Sequence, residues 1–270
     1  MLAGHQQLVK DFKQLTKSDR LSHGYIFFGD PEVGKFHFAK HLAYFLETGE
    51  FEISERPLQD ALILNYATGI DSMRNLKNFL WQKPNLSSKR LVVINDSENL
   101  TDEAQNAILK ITEEPPENAL LILIVNQTDN LLPPLLSRLQ KIHFGRVSDD
   151  EMREFLEFRI PNSEFRNIAS VFGRPGRAVR LSSGGSAADM GKYAVQFLNS
   201  SGPARSGLIK DLVESQKENP EILDIFFESL ILMLRKDPIK NAGVLRDVTH
   251  RLFLIKSYNT NKRLQLEAVG

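Results

Sequence analysis

Cysteine is absent from all 270 residues. That excludes disulfides, cysteine-type zinc sites and thiol catalysis together. An excess of either charge is missing too: 34 basic side chains balance 34 acidic ones. No whole-molecule field therefore gathers nucleic acid or membrane, and only a local basic patch could do so. No apolar run approaches the length of a bilayer span, and Met1–Gln7 does not read as a signal peptide. Internal repeats and low-complexity tails are also lacking. A soluble cytoplasmic protein without a membrane partner is the expectation. The length suffices for one large domain or two to three small ones with sizeable cores.

One stretch stands out within that plain background. Gly29-Asp30-Pro31-Glu32-Val33-Gly34-Lys35-Phe36 follows the apolar run Tyr25–Phe28 and leads into a helical pattern carried by Phe38, Leu42, Phe45 and Leu46. Strand, glycine loop, helix is the setting of a P-loop, and the spacing G-x-x-x-x-G-K is intact. In such a loop the backbone N–H groups hold phosphate at a helix N-terminus, the lysine reaches the terminal phosphates, and a hydroxyl in the next position holds Mg²⁺. Here that position is Phe36, which supplies no oxygen. The plain alternative is a turn with two glycines and a surface lysine.

Strands and helices alternate around the loop. An amphipathic helix over 5–18 precedes a strand at 25–28, and the helix after the loop stops at Thr48-Gly49. Residues 50–60 read as loop. Further strands are expected at 61–64, 91–94, 120–125 and 141–144, separated by helices opened by Asp71, Thr101 and the prolines at 133 and 134. This pattern predicts an α/β domain with a mostly parallel sheet over 1–147. Ser148-Asp149-Asp150-Glu151 starts a helix, with further short helices at 162–171 and near 177–182, giving a small helical domain over 148–185. Ser182–Ser186 reads as a linker. Only helical periodicity follows over 186–270. Its apolar stripe at 225–234 suits either a bundle core or an interface.

Several residues carry candidate chemistry. Asp96 follows the buried run Val92-Val93-Ile94, where a carboxylate can hold Mg²⁺ through water, or merely cap the loop. A water-polarising acid would come next, but that residue is Ser97; Glu98, one further, is expected to point elsewhere by strand alternation. Asn126 after 120–125 can hydrogen-bond a water or a carboxylate, or simply turn the chain. Arg138, in Leu136-Ser137-Arg138-Leu139-Gln140, can offer its planar fork to phosphate on a neighbouring subunit, or form an internal ion pair.

Longer segments carry a family resemblance. Among them are His23–Gly29, Gly69-Ile70-Asp71-Ser72-Met73-Arg74-Asn75-Leu76, and Ala104-Gln105-Asn106-Ala107-Ile108-Leu109-Lys110-Ile111-Thr112-Glu113-Glu114-Pro115-Pro116. Leu132-Pro133-Pro134-Leu135-Leu136-Ser137-Arg138, Gly173–Ala178 and the tail Asn259–Glu267 add to them. Together they resemble the delta-prime subunits of bacterial DNA polymerase III clamp loaders, members of the AAA+ family. The resemblance implies an AAA+ domain, a helical lid and a helical collar that joins a hetero-pentamer with motor and delta subunits. It implies contact with the sliding clamp and primer–template DNA through that complex, with Arg74 and Lys77 as DNA candidates or ordinary solvated charges. It makes Arg138, with Ser137, an arginine finger acting in trans, and Arg177 and Asn126 sensor-like residues. It leaves Gly29, Gly34, Lys35 and Phe36 as a degenerate P-loop. Leu139 stands where the motif usually has cysteine, and the cysteine-rich zinc module is missing after the P-loop helix, so no zinc and no metal is expected. Phe36 and Ser97 place the chain with non-hydrolysing stators that need no nucleotide in cis. ATP occupancy stays open, and an active AAA+ motor subunit is the alternative.

Overall fold

The computed structural model describes residues 2–64, 70–159, 173–183, 186–216, 222–258 and 260–269. Five strands, β1 (Gly24–Phe28), β2 (Ala61–Leu64), β3 (Arg90–Ile94), β4 (Ala119–Ile124) and β5 (Gln140–His143), form one sheet in the order β2-β3-β4-β1-β5. Every pairing is parallel. β1 to β4 coincide closely with the apolar runs of the sequence, and β5, at the sheet edge, is largely polar and exposed.

Alternate strand residues feed two cores, as a sheet covered on both faces requires. Tyr25, Phe27, Leu91, Val93, Leu120, Ile122 and Ile124 face one side. There they meet α1 (Gln6–Lys17) and α2 (Lys35–Thr48) through Phe12, Phe38, Leu42 and Phe45. Ile26, Val92, Ile94, Leu121 and Leu123 face the other. Their partners come from α3 (Ile70–Leu80), α4 (Asp102–Glu113) and α5 (Pro133–Arg138). Thr101 caps α4 by accepting the Ala104 N–H at 3.3 Å, and acids fill its first turn. Gly49, in the left-handed region at φ 79°, ends α2.

The 50–60 segment holds more order than its polarity suggested. Asp60 is 1% exposed. Its carboxylate accepts the backbone N–H groups of Asn85, Leu86 and Ser87 at 2.6–2.9 Å and pairs with Arg90 at 3.3 Å. Arg90 in turn donates to the Gln59 and Lys83 carbonyls and lies over the Phe79 ring. This cluster fixes the loop between α3 and β3.

The chain divides into two compact units. The first carries the sheet, α6 (Asp149–Arg159) and the turn Gly173–Arg177. Ser148 and Glu151 exchange hydrogen bonds at the start of α6, a capping box that agrees with the expected helix start. The second unit holds the chain from Ala178 onward, with α8 (Ser186–Asn199), α9 (Gly202–Ser215), α10 (Ile222–Leu234), α11 (Ala242–Ser257) and α12 (Lys262–Glu267). Between the units' residues runs α7 (Pro175–Ser183). The expected 162–171 helix lies outside the described residues. Of the expected serine linker, Ser182 and Ser183 belong to α7 and Ser186 opens α8, and Gly184 and Gly185 lie outside the described residues.

In the second unit the apolar stripe is bundle core. Ile225, Phe226, Phe227, Leu230 and Leu234 are buried, and Phe226 meets Phe197 edge-on at 5.2 Å. Among the described residues no helix is long and apolar enough to cross a membrane.

Burial opposes ionisation of Asp60, but the three backbone N–H groups and Arg90 outweigh it and hold the carboxyl below its ordinary value of 3.8. A depressed carboxylate contributes stability above its unfolded-state pKa and loses it as pH falls through the folded-state value. We predict that Asp60→Asn lowers the unfolding free energy by about 3 kcal/mol at neutral pH, because Arg90 is left buried without its charge. Urea melts should show the deficit shrinking as the pH is taken below about 4.

Candidate functional site

Three adjacent strands, β3, β4 and β1, deliver the candidate residues at their carboxyl ends, where ligands of open α/β sheets bind. Beyond β1, Gly29 has φ 141° and its Cβ would overlap the Phe144 carbonyl, so only glycine fits. Gly34, at φ 105°, is the residue from which α2 starts. The loop between them presses its own carbonyls inward, onto Lys35.

Lys35 is 6% exposed. Its ammonium donates to the Gly29 and Asp30 carbonyls, each at 2.7 Å, and to Asn126 Oδ1 at 3.1 Å. An ammonium has three N–H donors, so all are used. Asn126 donates from Nδ2 to Glu98 Oε1 at 2.6 Å, and its carbonyl accepts the Gly29 N–H at 3.3 Å. Lysine, amide and carboxylate thus form one chain of bonds across the ends of β1, β4 and β3. Desolvation lowers the Lys35 pKa to about 8, against the raising fields of Glu98, Asp30 and Asp96.

Glu98 departs from expectation. The alternation argument assumed that the strand continued, but β3 ends at Ile94 and Ser97–Asn99 form a 3₁₀ turn. Asp96 opens the turn in the left-handed region at φ 49°. The turn buries Ser97, whose hydroxyl donates to the Ile94 carbonyl at 2.8 Å, and swings Glu98 toward Asn126. Asp96 itself is exposed and accepts from Asn95 Nδ2 at 3.1 Å.

The outside of the loop is also held. Asp30 pairs with Arg146 at 2.7 Å and Arg174 at 3.4 Å. The hydrogen bond from Arg146, more than the opposing burial, keeps the Asp30 carboxyl below its usual range. The Gly176 N–H donates to the Glu32 carbonyl at 3.0 Å, and His5 Nε2 lies 2.8 Å from the Val33 carbonyl. Arg177, one residue on, is buried. The family resemblance marked the Gly173–Ala178 turn, but no local pattern links Asp30 to Arg146 or Arg174, which lie more than a hundred residues away.

One oxygen donor that usually meets Mg²⁺ in such a loop is missing at position 36. Phe36 packs its ring against the core and under the Lys40 ammonium at 4.6 Å, so no hydroxyl reaches the metal seat. Among the described residues, no group of three or more His, Asp or Glu is arranged to hold a metal ion.

Arg138 and Ser137 belong to another place, the end of α5. Arg138 Nη2 pairs with Glu113 Oε1 at 3.1 Å, and Nη1 donates to the Pro134 carbonyl at 3.3 Å. Ser137 donates to the same carbonyl at 2.8 Å. Leu139 is buried and packs beside Gly24. Lys77 lies 5.1 Å from the Trp81 ring. The Arg74 side chain lies outside the described residues.

A parallel sheet that sends a glycine loop from β1 into a helix N-terminus defines a P-loop protein of the AAA+ type. The profile of the family described as "DNA polymerase III, delta subunit" matches residues 4–148, just over half of the chain, and the chain belongs to that family. It is 24% identical over 162 residues to DNA polymerase III subunit tau of Bacillus subtilis, covering 54% of this chain and 29% of that protein. Identity is 26% over 172 residues to the gamma/tau subunit of Mycobacterium tuberculosis, covering 57% and 30%. It is 28% over 159 residues to the replication factor C small subunit of Methanosarcina barkeri, covering 58% and 46%. The chain thus matches under a third of the length of these two bacterial relatives. A solved DNA polymerase III gamma subunit-related protein from Thermotoga maritima shares the fold, with TM-score 0.54, 20% identity and 96% of each chain covered.

Because Lys35 loses protons more readily when folded, stability rises with pH between about 8 and the unfolded-state value of 10.5, where the unfolded chain binds more protons. We predict that wild type gains stability relative to Lys35→Met across that window in parallel urea melts. A constant difference would show that Lys35 titrates normally.

Proposed function

We propose that this chain is a delta-prime-type stator of a clamp loader. It does not hydrolyse ATP itself, and it offers Arg138 to the ATP of a neighbouring motor subunit. The observation that carries the reading is the commitment of Lys35. All three of its donors are spent on Gly29, Asp30 and Asn126, and the residue after it, Phe36, packs against the core and offers a metal no oxygen. Phosphoryl transfer depends on positioning and electrostatics. A lysine turned into its own loop and a missing metal ligand remove both.

The setting of Arg138 supports the other half. Its side chain is 36% exposed and its Glu113 partner 52% exposed. Such a pair is worth about 0–1 kcal/mol, so a neighbour's phosphates can take the guanidinium at little cost. In this reading residues 1–147 are the AAA+ domain, 148–185 a lid and 186–270 a collar that joins motor and delta subunits in a hetero-pentamer. The sliding clamp and primer–template DNA are met through that cytoplasmic complex, and no nucleotide is required in cis.

One observation favours a second reading. Glu98 faces Asn126 instead of pointing away, so a carboxylate does stand beside the loop, where an active motor would polarise water. The two readings separate in one assay. The stator predicts no Mg²⁺-dependent ATP turnover by the purified chain. It also predicts a loss of about 10³-fold in DNA-stimulated ATPase when Arg138→Ala is reconstituted with motor subunits. Turnover by the isolated chain that Lys35→Ala abolishes would establish the motor instead.

A further inference from the structure

The chain's balanced charge conceals one uneven surface. On α1, Lys10, Lys13 and Lys17 recur at helical spacing and share a face about 10 Å long, opposite the buried Phe12. No acid falls on that face; Asp11 is turned one position away and accepts from Gln7 at 2.8 Å. Lys13 also lines a groove of about 830 Å³ that Lys40 and Arg159 enter from α2 and α6. A shallower depression along Lys10, Lys13 and Lys17 continues from it. Among the described residues no carboxylate pairs with any of these five cations, although Glu50 and Glu52 also line the groove. Two basic neighbours of His37, Lys40 and Arg159, add to burial and His41 in disfavouring its charged form, a sign of how much positive field gathers there.

The groove is not only basic. Phe158 is 64% exposed at its edge, while Phe51 in its wall is buried with its ring stacked on His41. A basic track beside an exposed aromatic ring is the chemistry that holds single-stranded nucleic acid: cations follow the phosphates and a base stacks on the ring. A duplex keeps its bases stacked on one another and can use only the charges.

We propose that the α1 lysine face and the adjoining Phe158 groove bind single-stranded nucleic acid directly. The phosphates run along Lys10, Lys13 and Lys17, and a base enters the groove between Lys40 and Arg159. The surface is separate from the glycine loop and does not depend on the stator reading.

Fluorescence anisotropy of the full chain with a labelled oligothymidine tests this. The expected Kd is on the order of 10 µM at low salt, weakening steeply as salt rises. Lys10→Glu with Lys17→Glu should weaken binding by about tenfold or more, and Phe158→Ser by about fivefold. All three positions are exposed, and unchanged thermal melts would show that the variants fold. Absence of binding by the wild type, or equal binding by the variants, would overturn the proposal. So would equally tight binding of a duplex of the same length, or equally effective competition by polyglutamate, since each would mean that charge alone is read.

Discussion

A buried ammonium ties the carboxyl end of the sheet together. Lys35 reaches back from the first turn of α2 to the Gly29 and Asp30 carbonyls and across to Asn126 beyond β4. Burying a charge is costly unless its donors are satisfied, and here each has an acceptor. The arrangement demands a tight loop, which Gly29 permits by leaving room for the Phe144 carbonyl, and an amide at 126 that can also meet Glu98. The same residues that would cradle a phosphate are occupied with one another.

The loop is held from outside as firmly as from within. Arg146 and Arg174 converge on Asp30, and the turn at Gly176 hydrogen-bonds Glu32. The Asp30 pairs are partly exposed and individually modest. Their effect is geometric, since they join the chain after β5 and the turn before α7 to one short loop. Together these contacts fix the loop's backbone from both sides. The half-exposed Arg138–Glu113 pair is the opposite case, a contact worth about 0–1 kcal/mol.

Much of the architecture was legible in the residues. The central strands β1, β3 and β4 were marked by apolar runs, since a strand buried on both faces has no polar side to break its signal, whereas the edge strand β5, Gln140–His143, is mostly exposed and carries one apolar residue. The capping residues at Thr101 and Ser148 marked helix starts for local hydrogen-bonding reasons. The glycine loop declared itself through its setting between strand and helix, and Phe36 in the metal position was plain from spacing alone. Glu98 escapes the alternation rule because that rule holds only while a strand continues, and a 3₁₀ turn begins at Ser97, three residues after β3 ends. Asp60 escaped notice because its partners at 85–87 and Arg90 lie across the sheet end, not beside it in the chain.

The sequence by itself determined the α/β order, the glycine loop, the absent hydroxyl and the helical second half. All of these depend on local spacing and side-chain chemistry. Tertiary structure alone decided what Lys35 does with its protons, where Glu98 points, and that the stripe at 225–234 is core. It also decided that Arg138 rests on Glu113 and that Lys13 of α1 meets Lys40 and Arg159 around one groove. Those outcomes depend on which distant residues the fold brings within hydrogen-bond or Coulomb range, and residue order carries no local trace of that.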